Sequence, residues 1–330
     1  MPIQVNELSK HFKMFKREAG LSGAFHSFFN RKYENFHALK DISVRIEDEE
    51  ILGILEENSA GKTTLIKLLV GLFHPSSGEV SINGFTPWNR KSDFLKQISV
   101  VMGQKNQLWW DIPASESFLL NQKIYEIPEI QYKNTLDELV DLLSVREKLN
   151  VQVRRLSLGE RMKMEFIAAL LHKPKIVLLD EPTIGLDVIS QLKIREFVKY
   201  YNEKYKTTFL LTSHYMHDIQ ALCKRVFVIH KGASLYDGDF NDLVNRVNPK
   251  RKLLFEFNEI PDQSKTERLS ENYNFRLDDT ILYAELSDKE LTKLVSELFQ
   301  LGLPASITME DLPVEDTMRS FFKDPEKFLK

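Results

Sequence analysis

The chain of 330 residues is short of cysteine, of excess basic charge and of long apolar runs. Its single cysteine, Cys223, excludes an intramolecular disulfide and a multi-cysteine zinc site. With 45 Lys+Arg against 48 Asp+Glu, the net charge of −3 offers no basic field for nucleic acid, so no nucleic-acid partner is expected. No apolar run reaches the roughly 18 to 20 residues of a membrane span, and the N-terminus lacks a signal-peptide stretch. We therefore expect a chain of the reducing cytosol, which relies on another protein for any membrane spans.

Glycine is also scarce, with 13 residues, or about 4% of the chain against a typical usage of roughly 7%. Any motif that depends on glycine therefore has to be checked position by position. What is present in quantity is apolar material, since 42% of the residues are hydrophobic. That content excludes a disordered or fibrous chain and allows one large or two ordinary domains.

Helical and strand patterns alternate along most of the chain. Short apolar or alternating stretches predict strands at 3–6, 42–46, 51–55, 98–102, 176–180, 208–212 and 225–229. Helices are predicted at 62–72, 115–125, 130–143, 158–171, 189–205 and 216–223. Strands separated by helices need crossover connections, so an α/β fold with a largely parallel sheet is expected.

The pattern changes near residue 247, where the polar, proline-containing stretch at 248–252 forms a break. Three strands (253–257, 280–286 and 305–308), a helix with Leu291, Leu294, Val295 and Leu298 on one face, and a short final helix follow. We interpret residues 247–330 as a small α/β C-terminal domain and residues 1–246 as the main domain.

A phosphate-binding loop is predicted between the strand that ends at Leu55 and the helix that follows it. In such a loop the backbone N–H groups and the helix N-terminus face the anion, a lysine reaches the β- and γ-phosphates, and a hydroxyl binds Mg²⁺. Lys62 and Thr63 would take the last two roles. The candidate nucleotide-binding residues here are Glu56, Glu57, Asn58, Ser59, Ala60, Gly61, Lys62, Thr63 and Thr64.

This loop departs from the usual pattern, because Glu56 stands where glycine is expected and Ser59 replaces another commonly used glycine. A side chain at position 56 either strains a backbone conformation that glycine tolerates or places a carboxylate close to a polyphosphate. Nucleotide affinity therefore has to be measured before activity is assumed from this motif.

Two carboxylates follow the buried strand at 176–179. Asp180 is placed to hold Mg²⁺ through water, and Glu181 to polarise an attacking water. A turn at 182–187 comes next, and the strand at 209–213 delivers His214.

Together these residues resemble the nucleotide-binding subunits of ABC transporters over about residues 1 to 245. Leu156-Ser157-Leu158-Gly159-Glu160 is similar to the signature Leu-Ser-Gly-Gly-Gln of that family, with Leu158 and Glu160 as the departures. The resemblance implies a P-loop NTPase of the ABC type: a parallel sheet core, an antiparallel β subdomain, and a helical subdomain at about 104–172 that carries the signature.

The resemblance also assigns site residues. Ser157 and the backbone of Gly159 would bind the γ-phosphate held by a second copy, in a head-to-tail homodimer around two ATP molecules. Gln104 would touch the metal and the water, with Gln107 as the competing candidate. Asp187 corresponds to the family's D-loop aspartate, and His214 to the switch histidine that contacts the γ-phosphate. Adenine would stack on Phe12 or, because an insertion separates the two, on Tyr33.

A closer similarity is to exporter ATPases that pair with separate six-helix membrane subunits of the second ABC export type. It rests on the stretches 102–113, 211–216 and 309–318. Trp109 and Trp110 lie where such subunits receive the coupling helix of the partner. The basic, aromatic insertion at 13–35 would lie along the inner leaflet or the partner, or would form a solvated loop with its phenylalanines packed on the domain.

The main hypothesis is therefore an ATPase that uses ATP and Mg²⁺ to drive export through another protein, on the inner face of the cell membrane. The alternative is a nucleotide sensor or scaffold with weak hydrolysis, which Glu56, Ser59 and Leu158 motivate. A third hypothesis, an ABC ATPase of translation or DNA repair, is weakened by the single nucleotide domain, the acidic balance and the absence of coiled-coil heptads.

Overall fold

The computed structural model describes residues 3–15, 33–57, 60–103 and 105–329. The chain folds into two compact units, Met1–Gly238 and Asp239–Lys330. The break at Gly238 precedes the predicted boundary at 246/247, because the helix Phe240–Val247 belongs to the second unit. No helix of the described residues is both long enough and apolar enough to cross a membrane.

The first unit contains two sheets and seven α-helices among its described residues. Its strands are β1 (Ile3–Phe15), β2 (Tyr33–Ile46), β3 (Ile51–Glu56), β4 (Ser77–Ile82), β5 (Ile98–Met102), β6 (Ile176–Asp180), β7 (Thr208–Thr212), β8 (Arg225–His230) and β9 (Ala233–Asp239). Its helices are α1 (Ala60–Leu69), α2 (Ser92–Leu95), α3 (Ala114–Ile124), α4 (Glu129–Leu143), α5 (Leu158–Leu170), α6 (Val188–Tyr205) and α7 (Met216–Leu222). The six helices and the seven strands that the sequence predicts for this unit are all present.

The larger sheet has the order β5-β6-β7-β3-β8-β9, and neighbours from β5 to β8 run parallel. Every residue of β7 is buried, as is β6 up to Leu179, which is why these strands appear in the sequence as continuous apolar runs. Because parallel strands need crossover connections, helices alternate with strands along the chain.

The smaller sheet, in the order β2-β1-β4, is antiparallel. Its apolar side chains share one core with the larger sheet: Leu8 and Ile42 lie in the same buried cluster as Ile54 of β3 and Leu65 and Ile66 of α1. Helix α1, whose N-terminus carries the predicted phosphate loop, is therefore anchored by both sheets.

The ends of the predicted insertion, Lys13–Phe15 and Tyr33–Asn35, continue the β1–β2 hairpin. Residues 16–32, on which the two interpretations of the insertion depend, lie outside the described residues.

The second unit contains α8 (Phe240–Val247), β10 (Lys250–Phe257), α9 (Gln263–Ser270), β11 (Phe275–Asp278), β12 (Ile281–Ser287), α10 (Asp288–Leu301), β13 (Pro304–Asp311) and α11 (Val314–Lys323). The residues between Lys250 and Asp311 follow a βαββαβ order in an antiparallel sheet ordered β11-β12-β10-β13. That topology is ferredoxin-like. Helices α8 and α9 and strand β11, which were not predicted from the sequence, are short.

The core of this unit comes from alternate residues of the two central strands, such as Leu253 and Phe255 of β10 and Leu282 of β12. Leu291, Leu294 and Leu298 of α10 cover them, as the helical periodicity predicts. Helices α8 and α11 pack against each other within the same unit.

Back in the first unit, His172 follows α5 and stacks on Tyr125, with ring centroids 3.8 Å apart and planes at 9°. Both of its ring nitrogens are buried. Burial disfavours the charged imidazolium and lowers the pKa of His172 from 6.5 to about 4. The folded state therefore binds a proton less readily than the unfolded state.

We predict that this histidine makes the first unit acid-sensitive. Above pH 6.5 the histidine is neutral in both the folded and the unfolded state, and its contribution to the free energy of unfolding is fully present. As the pH falls towards 4 the unfolded state takes up a proton first, and the free energy of unfolding drops by about 3 kcal/mol. The variant His172→Phe keeps an aromatic ring against Tyr125 but cannot titrate. Urea unfolding at pH 7 and pH 4 checks this by tryptophan fluorescence, since all three tryptophans, Trp88, Trp109 and Trp110, lie in the first unit. Equal losses of unfolding free energy in the two proteins would contradict the prediction.

Candidate functional site

The carboxyl ends of four neighbouring parallel strands meet at one edge of the larger sheet. Met102 at the end of β5 pairs with Asp180 of β6, and Asp180 pairs with Thr212 of β7. Thr212 in turn pairs with Ile54 of β3, two residues before Glu56. Motifs that are far apart in the sequence are thereby brought together, at the edge where open α/β sheets bind their ligands.

Lys62 is the buried cation of this edge, with a relative exposure of 1%. Burial lowers the pKa of Lys62, and the charges of Glu181, Glu56 and Asp180 oppose that shift. An ammonium group surrounded in this way by carboxylates stays compensated inside the protein, whereas an unpaired one would be costly.

Glu56 ends β3 and turns its carboxylate towards the start of α1. Its Oε2 accepts hydrogen bonds from the backbone N–H groups of Gly61 and Lys62, both at 3.0 Å. Burial raises the pKa of Glu56, and those two N–H groups act in the opposite direction. The sequence allowed either backbone strain or a carboxylate close to the phosphate-binding groups. The structure shows no strain, because φ is not positive at Glu56. It does place the carboxylate against the phosphate-binding N–H groups.

Asp180 and Glu181 are held by Thr212 on the adjacent strand. The Thr212 hydroxyl donates to Asp180 Oδ1 at 2.8 Å, and the Glu181 N–H donates to the Thr212 carbonyl at 3.0 Å. Glu181 has a positive φ of 53°, a backbone conformation that residues other than glycine adopt only at a cost in free energy. His214 Nε2 lies 2.9 Å from Glu181 Oε1, so the predicted base and the predicted switch histidine are in direct contact.

Gly103 lets the end of β5 approach this turn closely. Its N–H donates to the Asp180 carbonyl at 2.9 Å, and a Cβ at this position would lie 2.0 Å from the Glu181 carbonyl oxygen. The next residue, Gln104, lies outside the described residues, as do Asn58 and Ser59. The side chain of the alternative candidate, Gln107, is exposed, and its amide donates to the Val100 carbonyl of the edge strand β5.

The signature segment forms the N-terminus of α5. Ser157 is the N-cap residue: its hydroxyl accepts from the Glu160 N–H at 3.2 Å, and the Glu160 carboxylate accepts from the Ser157 N–H at 2.9 Å. This bond and Lys148, 3.1 Å away, hold the pKa of Glu160 below its usual range. Glu160, which replaces the family's glutamine, therefore completes a capping box.

Asp187 caps the next helix, α6, by accepting from the N–H and the hydroxyl of Ser190 at 2.9 and 2.7 Å. These two bonds lower the pKa of Asp187. Gly159 is buried against Ser190, since a Cβ at position 159 would lie 2.4 Å from Ser190 Oγ. The signature and the turn containing Asp187 are thus neighbours within one chain.

A cavity of about 480 Å³ opens beside the phosphate loop. Its lining includes Phe36, Lys40, Glu56, Glu57 and Gly61. Phe36, which is 45% exposed, contributes a phenyl ring to this lining and was not predicted from the sequence.

The two predicted adenine-stacking residues lie elsewhere in the same hairpin. Phe12 packs edge-on against Phe73, with centroids 5.7 Å apart, and is not part of the cavity lining. Tyr33 pairs with Phe15 at the far end of the hairpin, and its side chain is not described. Phe12 is paired with Phe36 across the strands, so the two phenylalanines share one face of the sheet.

Asp218 of α7 is a second residue that was not predicted from the sequence. It is buried, with 1% exposure, and its Oδ2 accepts from the hydroxyls of Ser213, at 2.8 Å, and Thr183. Arg195 of α6 lies 3.5 Å from Oδ1. Because Thr183 follows Glu181 by two residues and Ser213 precedes His214, Asp218 links the two loops that carry the base and the histidine.

Two of the predicted magnesium ligands, Thr63 and Asp180, lie within the described residues. In the described part of the chain, no group of three or more His, Cys, Asp or Glu side chains is arranged to hold a metal ion. Asp180 ends β6 and Thr63 lies in the first turn of α1. Both offer oxygen atoms, the ligand type that Mg²⁺ takes beside water and phosphate oxygens.

A parallel sheet with a phosphate loop, a strand ending in two carboxylates and a capped signature helix defines an ATP-binding cassette. A family model described as ABC transporter matches residues 39–184. The ABC transporter ATP-binding protein NatA of Bacillus subtilis strain 168 is 34% identical over 215 residues, which cover 65% of this chain and 87% of NatA. The bacitracin transport ATP-binding protein BcrA of Bacillus licheniformis is 31% identical over 243 residues, covering 74% of this chain and 76% of BcrA.

Solved structures show the same fold. A structure described as the ATP binding subunit of an ABC transporter superposes with a TM-score of 0.61 at 22% identity, covering 74% of this chain and 92% of that one. A dimeric post-hydrolysis state of the ATP-binding cassette MJ0796, bound to ADP and Pi, gives a TM-score of 0.59 at 22% identity, covering 72% and 98%.

The chain belongs to the ATP-binding proteins of the ABC transporter family. The predicted ABC-type P-loop fold is therefore confirmed. The roles of the individual residues remain predictions that the geometry makes specific.

We predict that Asp218→Asn lowers the rate of ATP hydrolysis about 10- to 100-fold with little change in the KM for ATP. A neutral amide cannot hold Thr183, Ser213 and Arg195 together as the carboxylate does, and small displacements of reacting groups cost rate rather than binding. Steady-state hydrolysis measures this, with Glu196→Gln on the exposed face of α6 as the matched control. A variant with wild-type turnover and only a lowered melting temperature would show that Asp218 is purely structural.

Proposed function

We propose that this chain is the ATP-hydrolysing subunit of an ABC exporter, which drives transport through a separate six-helix membrane subunit. The observation that carries the proposal is the meeting of Lys62, Asp180, Glu181 and His214 at one sheet edge. The names of BcrA and of a linearmycin resistance ATP-binding protein of Bacillus subtilis, 31% identical over 209 residues, support the exporter role.

In the proposed reaction the chain positions groups and compensates charge around a water that attacks the γ-phosphate. Lys62 compensates the phosphate charge, and Glu181 accepts a proton from the water. His214, in contact with Glu181, orients that carboxylate. When bound, Mg²⁺ would neutralise phosphate charge, with Thr63, Asp180 and Gln104 as its protein ligands.

The second half of each site comes, in this proposal, from a second copy arranged head to tail. Ser157 is exposed at the N-terminus of α5, and a helix N-terminus is suited to an anion such as the γ-phosphate. Asp187 and the backbone of Gly159 adjoin it. The neighbour that is dimeric with ADP and Pi supports such a dimer.

For the nucleobase we propose the cavity next to Glu57, where Phe36 offers an exposed ring. Phe12 remains the residue predicted from the sequence and lies opposite Phe36 in the hairpin. Either ring would favour a base without selecting it strongly.

The surface proposed for the membrane subunit carries Trp109 and Trp110, which are 62% and 44% exposed. Arg161 lies over the Trp110 ring, 5.1 Å from its centroid, and Arg154 pairs with Asp111 at 3.1 Å. Exposed aromatic and arginine side chains of this kind are typical of binding surfaces. Docking there would place the chain on the inner face of the cell membrane.

The second candidate function is a nucleotide sensor or scaffold with weak hydrolysis. The contact of Glu56 with the phosphate-binding N–H groups favours it. The wild-type hydrolysis rate separates the two functions: turnover that appears only in Glu56→Gly would favour the sensor.

We predict that Glu181→Gln retains ATP and accumulates as a dimer, because the amide cannot accept the proton of the attacking water. Size-exclusion chromatography with light scattering, in the presence of Mg²⁺ and ATP, should show twice the monomer mass only for this variant. The control Glu196→Gln should behave like the wild type. Unaltered turnover in Glu181→Gln would overturn the assignment of the base.

We predict that Trp109→Cys carrying a photo-crosslinker forms an adduct with an integral membrane protein. The native Cys223 is buried, and burial raises the pKa of its thiol, so the introduced thiol is selectively labelled. The matched control is Ile260→Cys, at an apolar residue that is 75% exposed in the second unit. Equal labelling of the membrane fraction from both positions would argue against the tryptophan surface.

A further inference from the structure

The start of α1 already holds an anion that belongs to the chain itself. Glu56 Oε2 accepts from two successive backbone N–H groups, those of Gly61 and Lys62, each at 3.0 Å. The N–H groups of a first helical turn have no partner within the helix, and they point together at whatever anion lies beyond the end. The carboxylate therefore occupies the position that a phosphate loop offers to phosphate.

The surroundings of the carboxylate support this description. A Cβ at Gly61 would lie 2.6 Å from Glu56 Oε1, so the carboxylate fills the space that the glycine leaves open over the first turn. The buried Lys62 ammonium lies 3.5 Å from the Glu56 carbonyl oxygen and is compensated in part by the Glu56 charge. The Glu56 carboxylate thus takes two N–H groups that a bound phosphate would take, and its charge acts on the same lysine that would face the phosphate.

We propose that Glu56 is a built-in competitor of the nucleotide phosphates, which a nucleotide must displace before it can bind. A phosphate oxygen and a carboxylate oxygen cannot both accept from the same N–H groups at 3.0 Å, and two anions that close repel each other. The inference rests on the proposed binding of nucleotide at the Lys62 loop. In this proposal Glu56 sets the affinity for nucleotide. The neighbouring carboxylate, Glu57, is exposed.

The competition can be recognised in binding measurements, because it weakens the binding of phosphates and not of the nucleobase. In the full-length chain, Glu56→Gly should bind ADP at least tenfold more tightly than the wild type, while adenosine, which lacks phosphates, should bind both equally. The neutral Glu56→Gln still presents an oxygen acceptor but no charge, and should fall between them. Titration calorimetry for ADP and ligand-observed NMR for adenosine give the two affinities.

Glu47→Gln is the matched control, since it removes one negative charge from an exposed residue of the same unit that pairs with Arg45. Its ADP affinity should equal that of the wild type. Thermal unfolding of Glu56→Gln and Glu56→Gly shows whether each variant is folded.

Two results would overturn the proposal while leaving nucleotide binding intact. One is an ADP affinity in folded Glu56→Gly and Glu56→Gln no higher than in the wild type. The other is an equal gain for ADP and adenosine, which would mean that Glu56 acts on the fold of the site and does not compete with phosphate. If neither the wild type nor the variants bind ADP, the proposed function fails with it.

Discussion

A lysine buried in a protein needs negative charge around it, and the site of this chain is organised by that requirement. Lys62 is almost completely enclosed, and its ammonium is compensated by Asp180, Glu181 and Glu56. Removing those carboxylates would leave an uncompensated buried charge, and removing the lysine would leave several carboxylates close together. The phosphate loop and the end of β6 therefore depend on one another electrostatically, although more than a hundred residues separate them in the sequence.

The order of the strands in the sheet brings the carboxylates to the buried lysine. Strand β3 lies beside β7 and not beside β5, so the loop after β3 faces the ends of β6 and β7. Thr212 makes the connection, since its hydroxyl and carbonyl hold Asp180 and Glu181 respectively. Behind this edge, Asp218 ties the loop after β6 to the loop after β7. A site of this kind is positioned by the rigid sheet and adjusted by the buried side chains behind it.

Two glutamates that depart from the family pattern turn out to obey the same physical rule. Glu56 and Glu160 both place a carboxylate at a helix N-terminus, where the partial positive charge of the helix favours it. The consequences differ because the N–H groups differ. Glu160 accepts from the Ser157 N–H in a capping box and so stabilises α5. Glu56 accepts from the N–H groups that a phosphate would use, so in our proposal it lowers the affinity for nucleotide phosphates.

The sequence by itself determined the elements with strong periodicity and the motifs with local spacing. The long helices, the buried strands and the stretch Gly61-Lys62-Thr63 were predicted because hydrophobic period and loop chemistry act over a few residues. Strands β4, β9 and β11 and helices α2, α8 and α9 were not predicted, since each spans only four to eight residues and gives a weak periodic signal.

Only the tertiary structure decided which side chains meet. The sequence showed that Glu56 is out of place, but it could not show where the carboxylate points, because that depends on the approach of β3 to α1. Nor could it find Phe36 or Asp218, which have no distinctive local pattern: one acquires its place from the pairing of β1 with β2, and the other from two loops that the sheet brings together. Contacts of this kind arise from the order of strands in space, which local sequence does not encode.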